Sequence, residues 1–532
     1  MTKVLDNTDA GSSLPDGEAR ERITASLDET LFVEAGAGSG KTSSLVDRIV
    51  NLVVAGGVPV GRIAAITFTE AAARELRTRV RDAMIDRGAK GAGDVESAAF
   101  TTLHGFALRL LSDHAIEAGL PPGFGVVDEI TSALDFERAW RLFTGRIGDD
   151  LSLLDLQERA AALDVKLSGF SSVAKSFDDN WDLLERFDQL AGGILTPLSE
   201  LDFGDLLHRL LALGRLNRLC ISDEDLLAAG IDSLVASVEA LTWEEPLLVV
   251  QGLKSLNWPP RRRGRKDSWR SPGIDHVRAE IESLRTEVDE FLDRLRAEVI
   301  GQLTVLVAKH VLDRVADRQR SGQLSFHDLL VLARRLLRSN ETVRQGLHQR
   351  YTRILLDEFQ DTDPIQIELA VLLAHPGPVT GRGWQDLAAE LPAGRLVVVG
   401  DPKQAIYRFR RADIGVYAQT ERVLVDEATK LVANFRSVPG VVEWVNEVFG
   451  QAIGEGVEEV QPPYTPLTAV RPAHPQGQVP VTVLGGPHDR GVGIGEIREL
   501  EAADVAAIVC HIMADDWPVQ VEGSGGPQRS EQ

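Results

Sequence analysis

Cysteine is nearly absent from this chain of 532 residues, in which Cys220 and Cys510 are the only two. Two cysteines cannot form a four-cysteine zinc or iron–sulfur site, and they argue against a disulfide framework. The chain also lacks a run of about 18 apolar residues, so we expect no membrane partner. Its first 16 residues are polar and acidic rather than basic and then apolar, which argues against a secretory signal and favours the cytoplasm.

Positive charge is scarce as well, because 57 lysine and arginine residues face 80 aspartate and glutamate residues, for a net charge of −23. This balance argues against a surface with general affinity for nucleic acid. A local basic channel on an acidic protein can still bind DNA. The length predicts more than one domain.

Strand-like and helix-like segments alternate in residues 1–110, and the alternation resumes after Phe326. Such alternation predicts an α/β fold with a parallel sheet and crossover helices. The intervening residues carry long helical patterns, which predict a helical domain inserted into the α/β domain. In the proline-free stretch 276–319 the apolar residues recur every three or four positions and are expected to face a core. They are Ile281, Leu284, Val288, Phe291, Leu295 and Val299.

A glycine-rich turn follows the first apolar run, and residues 35–42 read Ala-Gly-Ala-Gly-Ser-Gly-Lys-Thr. Backbone N–H groups in such a turn, together with the N-terminus of the next helix, bind phosphate oxygens. Lys41 is expected to reach the β- and γ-phosphates of ATP, and the Thr42 hydroxyl to hold Mg²⁺. Ala35 stands where the usual pattern has its first glycine.

Two adjacent carboxylates, Asp357 and Glu358, follow the short apolar run at 353–356. In P-loop ATPases the first such carboxylate holds Mg²⁺, and the next can deprotonate the attacking water. A surface acidic turn after a strand is the alternative, but the upstream phosphate loop favours the catalytic interpretation.

A Gly-Asp-Pro turn follows the apolar run at 396–399, with Gln404 just beyond it. A glutamine amide can donate to a γ-phosphate and accept from the attacking water. The aromatic and arginine residues interleaved at 407–411 suit base stacking and phosphate contact on single-stranded nucleic acid, although aromatics packed under a loop are the alternative. Arg436, in Asn-Phe-Arg-Ser, is a candidate arginine finger.

In this order the segments resemble the motifs of superfamily 1 DNA helicases of the UvrD/Rep type, and the chain is most similar to their RecB/AddA-like helicase–nuclease branch. Residues 33–42 resemble motif I, 66–76 resemble motif Ia, and 102–106 resemble the DNA-contacting motif that follows. Residues 324–330 match the segment on which the chain re-enters the first motor domain. Motifs II, III and IV are similar to residues 357–361, 400–404 and 434–437.

This resemblance implies a RecA-like motor domain interrupted by a helical domain, and an incomplete second RecA-like domain. The expected bounds are 1–110 plus 321–427 for domain 1A, 111–320 for domain 1B, 428–520 for domain 2A and 521–532 for a disordered tail. It implies that ATP binds, with Mg²⁺ on Thr42 and Asp357, while Glu358, Gln404 and Arg436 act in hydrolysis. The nucleotide-binding residues would be Ala35, Gly36, Ala37, Gly38, Ser39, Gly40, Lys41 and Thr42.

Family members move 3′→5′ along single-stranded DNA and separate the duplex. For this chain the resemblance implies a role in recombination or repair, and a helicase–nuclease partner subunit is a candidate partner. The resemblance therefore implies single-stranded and duplex DNA as partners. For the threonines, ordinary strand-end hydroxyls are the alternative. The expected DNA track is Thr67, Thr69, His104, Tyr407 and Phe409.

The chain departs from the family in two places. Residues 1–30 contain no glutamine, which the family uses to recognise adenine, so Arg20 or Arg22 is expected there instead. No segment like motifs V and VI follows Arg436, so we expect the N-terminal part of a helicase that alone binds ATP and DNA weakly and unwinds little. The alternatives are a non-catalytic subunit completed by a partner, and another P-loop enzyme such as a kinase.

Overall fold

The computed structural model describes residues 14–184, 196, 200–408, 411–457, 460–473, 481–483, 485–486 and 491–514. They form two compact units, which we call the sheet unit (Met1–Thr102 with Arg344–Gln532) and the helical unit (Leu103–Val343). The predicted tail at 521–532 and Phe409 lie outside the described residues. The predicted domain bounds, with their division at residue 428, stay predictions.

The strands are β1 (Leu31–Ala35), β2 (Ile63–Thr67), β3 (Ala99–Thr102), β4 (Gly125–Val126), β5 (Gln323–Leu324), β6 (Arg353–Leu356), β7 (Leu396–Gly400), β8 (Thr429–Leu431), β9 (Ala433–Asn434) and β10 (Thr468–Ala469). The helices are α1 (Gly17–Ala25), α2 (Lys41–Val54), α3 (Glu70–Asp86), α4 (Leu103–Asp113), α5 (Glu129–Asp149), α6 (Leu154–Ala162), α7 (Ser171–Asp179), α8 (Trp181–Leu184), α9 (Gly204–Ala212), α10 (Leu226–Glu239), α11 (Pro246–Lys254), α12 (Ile274–Ser321), α13 (Phe326–Ser339), α14 (Glu341–Arg350), α15 (Pro364–Ala374), α16 (Trp384–Ala388), α17 (Ile414–Leu424), α18 (Pro439–Ile453) and α19 (Ile494–Ala514).

Six parallel strands form the sheet of the sheet unit, in the order β3-β2-β6-β7-β1-β8. β2 and β7 are buried at every position, because helices cover a parallel sheet and its strands are short apolar runs. The parallel α/β sheet predicted from the sequence is therefore confirmed. Parallel strands end at one edge, so the turns after β1, β6 and β7 come together there.

The strand at one edge of this sheet is β8. β8 pairs in parallel with β1, and Ala35 lies opposite Leu431. β9 follows directly and pairs with β10. The chain thus returns, after β8, to the turn that follows β1.

α12 is the main element of the helical unit and runs for 48 residues. Ile281, Leu284, Val288, Leu295 and Val299 are buried along it, as the sequence pattern predicts. Phe291 is only partly buried and packs at the margin of the core, while Leu292 takes the buried position. The helical period of 3.6 residues allows either residue to follow Val288, so spacing alone did not decide between them.

A buried polar network joins α7, α8, α12 and α13 in the helical unit. Arg318 donates from Nε to Oδ2 of Asp328 at 2.8 Å and from Nη1 to Oδ1 of Asp178 at 2.7 Å. Trp181 Nε1 donates to Oδ1 of Asp328 at 2.8 Å. Asp328 also forms a capping box with Ser325 at the start of α13. Burial raises the pKa of Asp328, but the bonds and charge of Arg318 outweigh it and leave the pKa below its ordinary value.

None of the described helices has both the length and the apolar character needed to cross a membrane.

Candidate active site

The glycine-rich turn lies between β1 and α2, at the carboxyl edge of the sheet. Gly38 and Gly40 have φ angles of 70° and 78°, a left-handed conformation that glycine adopts without a steric penalty. Ser39 is 1% exposed, and its Oγ has no hydrogen-bond partner among the described residues. A buried hydroxyl without a partner, beside the free N–H groups of a helix N-terminus, fits an incoming phosphate group.

The segment Asn434–Ser437 packs directly against this turn. The side-chain Nδ2 of Asn434 donates to the carbonyl of Ala37 at 2.6 Å, and the backbone N–H of Phe435 donates to the carbonyl of Gly38 at 2.8 Å. A Cβ atom at Gly38 would lie 2.7 Å from Cβ of Arg436, so only glycine permits this approach. The exposed Arg436 is thereby held beside the turn.

Lys41 lies between the two carboxylates that follow β6. Its Nζ is 3.5 Å from Oδ1 of Asp357 and forms an ion pair with Oε2 of Glu358. Burial raises the pKa of Asp357, and Glu358 adds to this effect against the opposing charge of Lys41. Burial also acts to raise the pKa of Glu358, but the charge and hydrogen bonds of its neighbours outweigh it and lower the pKa.

One ammonium group thus faces two carboxylates, and this imbalance fits a divalent cation. Mg²⁺ prefers hard oxygen ligands and takes one or two carboxylates together with substrate phosphates rather than an all-protein cage. The described residues contain no cluster of three or more His, Cys, Asp or Glu side chains suited to a metal. Thr42 lies in the first turn of α2, and its role with Asp357 as a ligand of Mg²⁺ stays a prediction.

The turn after β6 is strained and densely hydrogen-bonded. Glu358 has a φ angle of 54°, which is unfavourable for a residue other than glycine and is typical of functional sites. Gln360 Nε2 donates to Oε2 of Glu358 at 2.7 Å, and Gln360 Oε1 accepts from the N–H of Asp401 at 2.9 Å. Burial and the charge of Glu358 raise the pKa of Asp361 to about 6.

The turn after β7 carries Gln404, whose exposed side chain donates from Nε2 to Oδ2 of Asp401 at 2.8 Å. The preceding Lys403 reaches back to β1, with Nζ 2.6 Å from Oε1 of Glu34. Our sequence interpretation missed Glu34, Lys403 and Gln360. All three lie inside the motif segments, and the available signal was that Glu34 is the one charged residue of the apolar run 31–35.

The structure distinguishes between Arg20 and Arg22, the two arginines expected near the adenine of the nucleotide. Arg20 donates from Nη2 to the carbonyl of Ser39 at 2.7 Å, and its guanidinium lies 5.0 Å from the ring centroid of Phe435. Arg22 instead pairs with Glu29 at an exposed position. Arg20, and not Arg22, therefore lies at the phosphate turn.

Three of the five residues expected to contact DNA lie together in the sheet unit. Thr67 Oγ1 donates to the carbonyl of Thr69 at 3.1 Å, and Thr69 caps α3. The ring of Tyr407 lies against that of Phe68, with centroids 5.0 Å apart and the ring planes tilted by 36°. Both threonine hydroxyls thus make the local bonds of ordinary strand-end residues, and their DNA contacts stay a prediction.

His104 lies in the helical unit, at the start of α4. Its ring meets that of Phe326 edge to face, with centroids 5.8 Å apart. Burial lowers the pKa of His104, and the charge of His327 lowers it further. The imidazole is consequently neutral at physiological pH, and a contact with DNA would be a neutral hydrogen bond or a stacking contact.

Comparison with known proteins agrees with this geometry. The sequence profile described as UvrD/REP helicase N-terminal domain matches residues 16–232 and 278–424. The chain is 27% identical to an ATP-dependent helicase/nuclease subunit of Exiguobacterium sibiricum over 81% of this chain and 39% of that protein. Its identity to the subunit of the same name in Pediococcus pentosaceus is 26%, over 83% of this chain and 39% of that protein.

The RecBCD enzyme subunit RecB of Escherichia coli is 27% identical over 82% of this chain and 39% of RecB. The chain thus spans about two fifths of the length of the curated relatives it matches.

Proposed function

The chain belongs to the UvrD/REP helicase family, and from that premise we propose that it forms the ATP-hydrolysing and DNA-binding part of an ATP-dependent DNA helicase. The arrangement of Lys41 against Asp357 and Glu358 carries this proposal. It joins a phosphate-binding turn to a metal-binding carboxylate and a general base at one edge of a parallel sheet.

The residues divide the work of hydrolysis among them. The N–H groups of the turn at 36–40 and of the first turn of α2 bind the phosphates. Thr42 and Asp357 would hold Mg²⁺, which would supply positive charge to neutralise the phosphates. Glu358 takes a proton from the attacking water, Gln404 orients that water and contacts the γ-phosphate, and Arg436 compensates charge on the transferring phosphoryl group.

Lys41 couples nucleotide binding to the basicity of Glu358. Without nucleotide its ammonium pairs with Glu358 and lowers the pKa of that carboxylate, which makes Glu358 a weaker base. A bound triphosphate competes for the same ammonium. Once Lys41 moves to the γ-phosphate, the basicity of Glu358 rises at the moment when a substrate is present.

The aromatic pair of Tyr407 and Phe68 supports binding of single-stranded DNA near Thr67 and Thr69, because a rigid ring supported from one side can stack on a base. By analogy with the relatives, we extend the proposal to 3′→5′ movement in recombination or repair. Those relatives are named as helicase/nuclease or RecBCD subunits, so a partner subunit is part of the proposal.

The test is ATP hydrolysis by the purified chain, with and without single-stranded DNA, beside Lys41→Ala and Glu358→Gln. We expect slow, DNA-stimulated turnover that Lys41→Ala abolishes and that Glu358→Gln reduces to a small residual rate, while Glu358→Gln still binds ATP. Turnover unaffected by either substitution would refute the assignment. ATP binding without turnover would favour the alternative of a subunit that needs a partner to hydrolyse ATP.

A further inference from the structure

The side-chain amide of Gln360 lies between two turns at the carboxyl edge of the sheet. Its Nε2 donates to Oε2 of Glu358 at 2.7 Å, and its Oε1 accepts from the backbone N–H of Asp401 at 2.9 Å. Gln360 is 3% exposed, so water does not offer either half of the amide another partner. Gln360 thus links Glu358, which follows β6, to the turn after β7.

Only a carboxamide satisfies both neighbours. A carboxylate needs a donor and a backbone N–H needs an acceptor, so the orientation of the amide is fixed. Glutamate at this position would place oxygen against oxygen beside Glu358, and leucine would leave both partners without a bond. The main chain is also fitted to the amide, because a Cβ atom at Gly400 would lie 2.9 Å from Oε1 of Gln360.

The hydrogen bonds continue beyond Asp401. Its Oδ2 accepts from Nε2 of Gln404 at 2.8 Å, and its Oδ1 accepts from the backbone N–H of Lys403 at 3.1 Å. A continuous path therefore runs from Glu358 through Gln360 and Asp401 to Gln404. The two side chains assigned to the attacking water are connected by groups that are almost entirely buried.

We propose that Gln360 is a positioning residue for ATP hydrolysis, which holds the Glu358 carboxylate in its reactive orientation and links it to Gln404. This inference rests on the proposed function. Gln360 bonds to Glu358 and Asp401 and acts through them. A displacement of the Gln404 turn when the γ-phosphate arrives is transmitted through Asp401 and Gln360 to the base.

The kinetic test compares Gln360→Glu with Gln366→Glu. The first removes the donor at constant size. The second makes the same exchange on α15, at a half-buried glutamine outside this path. For Gln360→Glu we expect kcat to fall about tenfold or more, while the Kd for ATP changes less than about twofold. Gln366→Glu should keep the wild-type kcat.

Two further variants test the path. Gly400→Ala presses on the same amide from the other side and should reproduce the loss of kcat with ATP affinity retained. In the Glu358→Gln background, adding Gln360→Glu should leave the residual rate unchanged within about twofold, because Gln360 acts through Glu358.

A second readout needs no hydrolysis. Thermal unfolding of the nucleotide-free protein is measured for Gln360→Leu, Glu358→Ala and the double variant. Both single changes break the same hydrogen bond, so the double variant should lose less than the sum of the two shifts. Additive shifts would show that the bond does not form and would overturn the inference.

The outcomes separate the two proposals. If the wild type hydrolyses ATP and Glu358→Gln does not, a wild-type kcat in Gln360→Glu overturns the role of Gln360 alone. Equal losses of kcat and ATP affinity would also overturn it, since they indicate a general disturbance of the site. If the wild type hydrolyses no ATP, the proposed function fails, and the unfolding cycle still decides whether Gln360 holds Glu358.

Discussion

Lys403 and Glu34 form an ion pair across the carboxyl edge of the sheet, with Nζ 2.6 Å from Oε1. Both side chains are 13% exposed, and Nζ also lies 3.2 Å from Oδ1 of Asp401. Burial acts to lower the pKa of Lys403, but the two carboxylates outweigh it and raise the pKa. The turn that carries Gln404 is thereby fastened to the strand that enters the phosphate-binding turn.

Replacing Lys403 by methionine should destabilise the sheet unit. The change removes the Lys403 ammonium from the buried Asp401 and the partly buried Glu34, which costs about 3 kcal/mol. Urea unfolding at neutral pH measures the loss. Lys430→Met is the matched control, because Lys430 is 45% exposed and its Nζ lies 3.9 Å from Glu34, and it should cost about 0.5 kcal/mol or less. Equal losses in the two variants would contradict the structure.

Asp361→Asn should stabilise the protein at neutral pH. The pKa of Asp361 is raised to about 6 in the folded state from its ordinary 3.8. The folded protein therefore binds the proton more tightly than the unfolded chain does. The resulting stabilisation of the folded state is complete below pH 3.8 and is lost as the pH rises through 6. The neutral amide avoids this loss, with a gain of about 2 kcal/mol at pH 7.5. Unfolding midpoints of both proteins should converge towards pH 4; a gap that is constant with pH would exclude this explanation.

Phe435→Ala should weaken ATP binding by removing a contact with the adenine base. The Phe435 ring lies beside Arg20 at the phosphate turn, whereas its backbone bond to Gly38 survives the substitution. Loss of one stacking contact is worth about 1 kcal/mol, or about a fivefold rise in Kd. Calorimetry with ATP and with tripolyphosphate, which has no adenine, separates contacts with the adenine from contacts with the phosphates. Tripolyphosphate binding should not change. Phe449→Ala is the control, because it removes an exposed ring on α18, and it should change the binding of neither ligand.

Tyr407→Leu should weaken the binding of single-stranded DNA. The ring lies against that of Phe68 at a tilt of 36°, and a base that stacks on Tyr407 would contribute about 1–3 kcal/mol. Fluorescence anisotropy with a labelled oligothymidine at fixed salt measures it. Ile406→Ala removes an adjacent apolar side chain that is 70% exposed and serves as the control. Identical affinities for Tyr407→Leu and wild type would remove Tyr407 from the DNA track.

Asp328→Ala should destabilise the helical unit, because it leaves the partly buried Arg318 without one carboxylate partner and the buried Trp181 without its acceptor. The expected cost is about 3 kcal/mol, measured by thermal unfolding. Asp317→Ala is the control, since Asp317 is 68% exposed and pairs with an exposed arginine. Its midpoint should stay near that of the wild type.

Local sequence predicted the elements of the site well. Short apolar runs marked β1, β6 and β7, and the residues that follow each strand proved to meet at one edge of the sheet. This was predictable because a strand, a turn and a helix start each have a signal within a few residues. The side chains Lys41, Asp357 and Glu358 meet for the same reason.

The connections between the turns were not predictable in this way. Lys403 and Glu34 lie 369 positions apart, and their pairing depends on the order β6-β7-β1, which no local pattern specifies. Gln360 was overlooked because its importance comes from Asp401, on a different strand. The exchange of Phe291 for Leu292 in the core of α12 has another cause, since neighbouring residues share a helix face and packing decides between them.

The contacts that Asn434 and Phe435 make with the phosphate-binding turn have a kinetic consequence. A turn with glycine at positions 36, 38 and 40 would sample many backbone conformations if left alone, and fixing each residue costs about 1–2 kcal/mol. Here the carbonyls of Ala37 and Gly38 are already bonded to Asn434 and Phe435. The ordering entropy is therefore lost during folding rather than at each encounter with a nucleotide. Nucleotide exchange can then proceed at the pace of diffusion and release, without a search for the binding conformation in every cycle.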